Sequence, residues 1–149
     1  METIGIICEY NPFHNGHVYH INKIKEMYPD SIIILCVNGY FGERGDVSII
    51  SKEDKTRLAL NNGINIVVEL PFVFASNSAD TFADASVKIL NYMKVDKIIF
   101  GSESNDIDKL TLIAKKQLED DFSLKVKEEI KKGINYPTAL NKGIGINLN

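Results

Sequence analysis

The chain has 149 residues, one domain's worth, and a chain of that size buries roughly 70% of the surface it exposes when unfolded. Hydrophobic residues at 44% and charged residues at 25% match ordinary globular proteins and exclude disordered, collagenous and disulfide-rich classes. A net charge of -3 supplies no global positive field to recruit nucleic acid. No apolar run approaches roughly 18 residues, so no membrane span is predicted. The start, Met1-Glu2-Thr3-Ile4, lacks the basic stretch of a secretory signal. Cys8 and Cys36 sit inside apolar runs without CxxC spacing and read as buried thiols of a reducing compartment. Composition therefore predicts a soluble, cytoplasmic protein.

In chain order, residues 3–9 form a short apolar run that predicts a buried strand. After a Pro/Gly-punctuated loop, Val18, Ile21, Ile24, Lys25 and Tyr28 carry helical spacing up to Pro29. Residues 31–37 are almost continuously apolar, as a strand covered on both faces should be. A glycine-rich loop over 38–45 follows. Ser51 then reads as a helix cap, with Glu53 and Asp54 in the first turn and Leu58 and Leu60 leading to a stop at Gly63. A third buried strand is predicted over 64–70, closed by Pro71. The next helix spans 78–93, its apolar face drawn from Phe82, Ala83, Val87, Leu90 and Met93. A fourth strand over 95–100 and helices over 106–118 and 119–132 complete the pattern. Alternating strands and helices predict a doubly wound parallel α/β sheet over 1–133. The segment 134–149 shows no periodic face and reads as an irregular or truncated end.

Polar residues and glycines collect after each predicted strand: Glu9 to His17, Asn38 to Gly45, Glu69 to Pro71, and Gly101 with Ser102 and Glu103. That is the edge where open parallel sheets bind ligands. All three histidines, His14, His17 and His20, open the first predicted helix. A helix start with free N–H groups is an anion site, and Gly16 clears space for close backbone approach. Pro12 stiffens the entry and disfavours helix at Asn11. Two imidazoles three residues apart can reach one phosphoryl group and donate to it as charge develops. The cluster beside Cys8 and Glu9 also suggests a metal. Zinc asks for four ligands or three and a water, however, and Cys8 lies within a strand, so no metal site is predicted.

The run Gly5-Ile6-Ile7-Cys8-Glu9-Tyr10-Asn11-Pro12-Phe13-His14-Asn15-Gly16-His17 resembles the HxGH signature of the nucleotidylyl-transferase superfamily. Extended through Val18, Tyr19 and His20, it resembles one family within that superfamily, the bacterial tRNA(Met) cytidine acetate ligases. Asn38-Gly39, Arg44-Gly45, Val68-Glu69-Leu70-Pro71, Phe74-Ala75 with Ser78-Ala79, and Phe100-Gly101-Ser102-Glu103 continue the match in order. The resemblance implies a Rossmann-like, HUP-type nucleotidylyl-transferase fold. It implies ATP binding by Ile7, Cys8, Glu9, Tyr10, Asn11, Pro12, Phe13, His14, Asn15, Gly16, His17, Val18, Tyr19 and His20, with Gly101 near the adenosine. His14 and His17 would be the catalytic pair, acting on the α-phosphate. Arg44 and Lys52 match basic positions of the family and would contact phosphate or substrate.

The implied activity is an ATP-dependent ligase that forms acetyl-adenylate and acetylates N4 of the wobble cytidine of elongator tRNA(Met). ATP, acetate and tRNA(Met) are the implied partners, with Mg2+ accompanying the nucleotide and no membrane. Oligomeric state leaves no mark on the sequence. A small-molecule adenylyltransferase of cofactor synthesis shares HxGH and stands as an alternative, as does a nucleotide-binding module without turnover. Two positions depart from the family's G-N-F-x-Q-R-G run: Tyr40 and Glu43 replace the Asn and Gln. A carboxylate at Glu43 would weaken anion attraction unless it pairs with Arg44. Family members are also considerably longer, so the chain reads as an ATP-binding amino-terminal domain.

Overall fold

The structure is a computed structural model that describes residues 1–103 and 105–144. Strands and helices alternate as β1 (Thr3–Cys8), α1 (Asn15–Met27), β2 (Ile32–Asn38), α2 (Lys52–Asn61), β3 (Ile66–Leu70), α3 (Phe72–Ala75), α4 (Ala79–Tyr92) and β4 (Lys97–Ile98). The strands form one parallel sheet in the order β3-β2-β1-β4. The chain therefore winds outward from β1 to β3, then crosses back to the far side of β1. That reversal makes the carboxyl ends of β1 and β4 the switch point of the sheet, where a ligand crevice forms in folds of this kind.

Strand periodicity builds two core layers. Ile4, Ile6, Ile33, Leu35 and Val37 pack on one face with Ile21 and Ile24 of α1 and Ala59 of α2. Ile34, Cys36 and Leu70 pack on the other with Ala85 and Leu90 of α4. Each fully buried branched side chain here contributes about 1.5–3 kcal/mol relative to exposure. Cys8 joins the first layer and Cys36 the second, and both are free thiols, so the sheet itself stands between them. Ser51 caps α2 as the sequence suggests, its hydroxyl accepting from the Asp54 amide, and the Ser78 hydroxyl caps α4 by accepting from the Thr81 amide.

Four details differ from the sequence reading. β3 is an edge strand rather than a buried one, and Ile66 is 39% exposed, because only β2 pairs with it. β4 shrinks to Lys97–Ile98, with the Ile99 amide donating onward to the Gly5 carbonyl. The short α3 follows Pro71 where the sequence offers no periodic signal. The inner face of α4 is Ala85, Ser86 and Leu90, while Ala83 and Val87 face solvent.

Met1–Gly101 forms one compact unit, and a second begins at Ser102, whereas the sequence places a single domain over 1–133. The second unit holds α5 (Ile107–Gln117), α6 (Phe122–Lys131) and α7 (Tyr136–Ile144) around a core of Phe122, Val126, Ala139 and Ile144. The segment expected to be irregular thus contains a helix as far as Ile144, and positions 145–149 lie outside the described residues. Gly143 is what hides the packing from a reading of apolar spacing. A Cβ there would stand 2.8 Å from Val126 Cγ2, so α7 meets α6 through a missing side chain. No helix among the described residues is long and apolar enough to cross a membrane.

Candidate active site

The β1–α1 loop sits at the switch point and is organised by its own histidines. His14 is the N-cap of α1, and its Nδ1 accepts from the Gly16 amide at 3.0 Å. His17, at N3, returns the contact: its Nδ1 accepts from the His14 amide at 3.1 Å. This is a capping box built from two imidazoles, whose rings stack with centroids 3.9 Å apart. The hydrogen bonds assign the tautomer. A neutral imidazole that accepts at Nδ1 carries its proton on Nε2, so each ring keeps one Nε2–H donor that has no partner among the described residues.

His17 is held neutral. Burial, followed by the neighbouring His14 and His20, lowers its pKa from 6.5 to about 4. Tyr10 and Phe13 wall it in, with ring centroids 4.5 and 5.5 Å from the His17 ring. Tyr10 is 2% exposed at φ 48, a left-handed conformation that a bulky residue adopts only when its surroundings hold it there. Burial raises its pKa, and does the same to the Cys8 thiol, which is thereby kept unreactive. Burial also lowers the pKa of His20, whose Nε2 is enclosed with no hydrogen-bond partner among the described residues.

Gly16 serves a purpose the sequence reading did not anticipate. A Cβ on it would lie 2.8 Å from Cε1 of His14, so glycine is what lets the capping imidazole fold over the helix start. The amides of His14 and Gly16 are already engaged by the two rings. The donors this loop offers an anion are therefore the imidazole Nε2–H groups rather than those amides.

The remaining members of the predicted segment frame this centre. Ile7 packs in the second core layer, and Val18 is half-buried. Glu9 Oε1 accepts from the Glu43 amide at 2.6 Å and the Asn38 side chain at 3.3 Å. Asn11 Oδ1 accepts from the Ile49 amide at 2.7 Å, tying this loop to the next one. The Asn11–Pro12 peptide is cis, and Pro12, Asn15 and Tyr19 are exposed, with the Lys23 ammonium over the Tyr19 ring. Gly101 follows β4 at the same sheet edge, and a Cβ built on it meets nothing within 4 Å.

Arg44 and Lys52 part company. The Arg44 guanidinium is exposed and has no hydrogen-bond or ion-pair partner among the described residues. Lys52 is bound to Glu69 at 2.8 Å and lies over the Tyr40 ring, whose phenol donates to both Glu53 oxygens. Glu43 does not pair with Arg44 among the described residues; it is the Glu43 amide that is used, on Glu9. A cleft of about 530 Å³ lies between α2 and β3 and is lined by Asn38, Lys52, Thr56, Val67 and Glu69 among others. It includes no histidine, so size alone does not mark the chemistry. Among the described residues no group of three or more His, Cys, Asp or Glu side chains is arranged to hold a metal.

One residue that matters here escaped the sequence reading, Lys55, which is fully buried, as is its partner Asn38. Spacing held a faint signal: Lys55 and Ala59 are one turn apart, so a buried Ala59 brings position 55 to the inner face.

Paired HxGH imidazoles at the start of α1 are the mark of nucleotidyl transferases, and the chain belongs to that class: the HIGH Nucleotidyl Transferase family model matches residues 1–146. Within it the chain is 47% identical over 140 residues to the tRNA(Met) cytidine acetate ligase of Fusobacterium nucleatum, covering 94% of this chain and 35% of that protein. It is 45% identical to the ligase of the same name from Mycoplasma mobile, covering 92% of this chain and 46% of that one. Among solved structures, Thermotoga maritima TmcAL bound with alpha-thio ATP superposes with a TM-score of 0.84 at 37% identity, covering 97% of this chain and 36% of that one. The chain thus spans about a third to a half of the length of these relatives.

Proposed function

We propose that this chain is the ATP-binding portion of a tRNA(Met) cytidine acetate ligase. The observation that carries the reading is the reciprocal imidazole cap of α1, which leaves two neutral Nε2–H donors side by side at the switch point. Such donors suit the non-bridging oxygens of an α-phosphate, because they strengthen as charge builds there without carrying a charge that must first be desolvated. In the first step an acetate oxygen attacks the α-phosphorus, the bond to the β-phosphate oxygen breaks, and pyrophosphate leaves with that electron pair. In the second, the N4 amine of the wobble cytidine attacks the acetyl carbon of the acetyl-adenylate, loses a proton and expels AMP.

His14 and His17 hold the α-phosphate through both steps. The Ile7 to His20 segment binds the nucleotide, with Gly101 beside the adenosine. Arg44 meets the phosphates, its guanidinium having no partner among the described residues, while Lys52 must first leave Glu69. Mg2+ arrives with ATP as part of the substrate. A tRNA substrate places the protein in the cytoplasm. The test is acetate-dependent ATP–pyrophosphate exchange on this chain and on any longer product of its gene. The expected result is ATP binding by this chain and acetate-dependent exchange by the longer product. Exchange that ignores acetate but responds to another acceptor would replace the ligase reading with that of a small-molecule adenylyltransferase.

A further inference from the structure

The 39–48 excursion between β2 and α2 is held at its neck chiefly by one buried side chain, beside the 3.3 Å bond from Ser48 Oγ to the Gly39 carbonyl. Lys55 of α2 is completely buried, and its ammonium donates to Asn38 Oδ1 at 2.9 Å, the Gly39 carbonyl at 2.9 Å and Ser48 Oγ at 2.7 Å. The Asn38 carbonyl stands further off at 3.4 Å. Gly39 is where the chain leaves β2, and Ser48 is where it returns, its amide donating to the Tyr40 carbonyl at 2.8 Å. Three protons meet three good acceptors, so Lys55 has no donor left for a ligand.

Asn38 carries the connection upward. Its side-chain nitrogen donates to the Phe41 carbonyl at 2.7 Å and to Glu9 Oε1, which also takes the Glu43 amide. The excursion is thus fixed at its neck by Lys55 and below its tip by Glu9. Arg44 stands next to Glu43, exposed and unpaired among the described residues.

We propose that Lys55 is a positioning residue: it closes the neck of the 39–48 excursion and so aims the Arg44 guanidinium at the phosphates of the nucleotide held by His14 and His17. The proposal rests on the nucleotide reading above for its target, and on the neck geometry for its device. An apolar side chain at position 55 fills the same volume but leaves Asn38 Oδ1 and the Ser48 hydroxyl oxygen without a donor, and the Gly39 carbonyl with only the 3.3 Å bond from Ser48 Oγ. The excursion keeps the Ser48–Tyr40 and Gly42–Asp46 backbone bonds and the Glu9 contact, but its neck opens more readily.

Three variants of this chain test it: Lys55→Met, Ser48→Ala, which removes the two neck contacts of one hydroxyl and leaves the core intact, and Arg44→Ala. The first readout is the rate of tryptic cleavage between Arg44 and Gly45, relative to cleavage elsewhere in the chain. Lys55→Met is expected to raise it about tenfold and Ser48→Ala by a smaller factor, because local opening sets cleavage. The second is ATP affinity measured with and without Arg44. Loss of the clamp should weaken binding about tenfold when Arg44 is present and less than twofold in the Arg44→Ala background. Unchanged cleavage at Arg44 in a folded Lys55→Met chain overturns the proposal. So do equal affinity losses in both backgrounds, which would make Lys55 a merely structural residue. If Lys55→Met does not fold, the same two readouts on Ser48→Ala decide. Absence of ATP binding by the unmodified chain would instead remove the nucleotide reading, and with it the target assigned to Arg44. Faster cleavage would then still mark Lys55 as the closure of the neck.

Discussion

The two loops that shape the site are held by opposite means. The β1–α1 loop is stabilised by neighbours in sequence, His14 and His17 exchanging bonds with each other's turn of backbone. The β2–α2 loop is stabilised from outside itself, by Lys55 on α2 and by Glu9 at the end of β1. The difference teaches where each loop is vulnerable. A local cap fails with little damage to the rest of the fold. A remote clamp built on a buried charge fails at the expense of the core, because its partners stay behind without compensation.

Four substitutions and a pH titration break or sharpen this contrast. The largest effect belongs to the remote clamp. Lys55→Met is expected to cost about 3 kcal/mol of stability, because buried neutral acceptors lose their donor at about 1–3 kcal/mol each, and urea unfolding monitored by circular dichroism measures it. His17→Ala comes next and acts on rate rather than on fold. In acetate-dependent exchange by a longer product carrying this domain, turnover should fall about 10²-fold, with a much smaller loss of ATP affinity. Equal losses would make His17 a binding residue only. Gly16→Val should displace the His14 ring and cost about 1 kcal/mol, the usual worth of a lost N-cap, while sharply reducing nucleotide binding. Calorimetric titration and a thermal melt of the same sample separate the two effects.

The pH dependence follows from His17, which burial keeps neutral with a pKa of about 4 in the fold against an ordinary 6.5. The unfolded chain therefore takes up its proton first as pH falls. The contribution of His17 is complete above about pH 6.5 and drains away as pH drops toward 4. Thermal melts across that window should show declining stability, with a flatter slope in His17→Gln; identical slopes would remove the assignment. The smallest effect is expected at Leu60, which is 45% exposed. Leu60→Ala should stay within about 0.5 kcal/mol, one turn and a residue away from the most sensitive position of the same helix.

That last pair shows what was legible and what was not. The leucines of α2, Leu58 and Leu60, are not its fully buried positions; those are Lys55 and Ala59. Hydrophobicity orients a helix only when polar partners are absent, and here a sheet-edge amide, a carbonyl and a hydroxyl await a cation. On α4 the same limit appears in milder form, with Ser86 inside and Val87 outside. The histidine loop, by contrast, could be placed from the chain alone. Its contacts span three residues or fewer, so motif spacing and contact geometry are the same information.

By itself the sequence determined the alternation of strands and helices, the cap at Ser51, the gathering of polar residues and glycines at the carboxyl edge and the placing of His14 and His17 at the start of the first helix. Those are consequences of local periodicity and short separations, which a chain carries before it folds. Only the tertiary structure decided that β3 lies at the edge, that the helices from α5 onward form a unit of their own, and that Lys55 meets Asn38, Gly39 and Ser48. Nor did anything in the linear order reveal that Gly16 is needed for the His14 ring, or that Glu9 holds the amide of Glu43. Those facts depend on which groups come together once the strands are laid side by side, and a buried polar group takes its partner from whatever the fold brings within hydrogen-bonding reach.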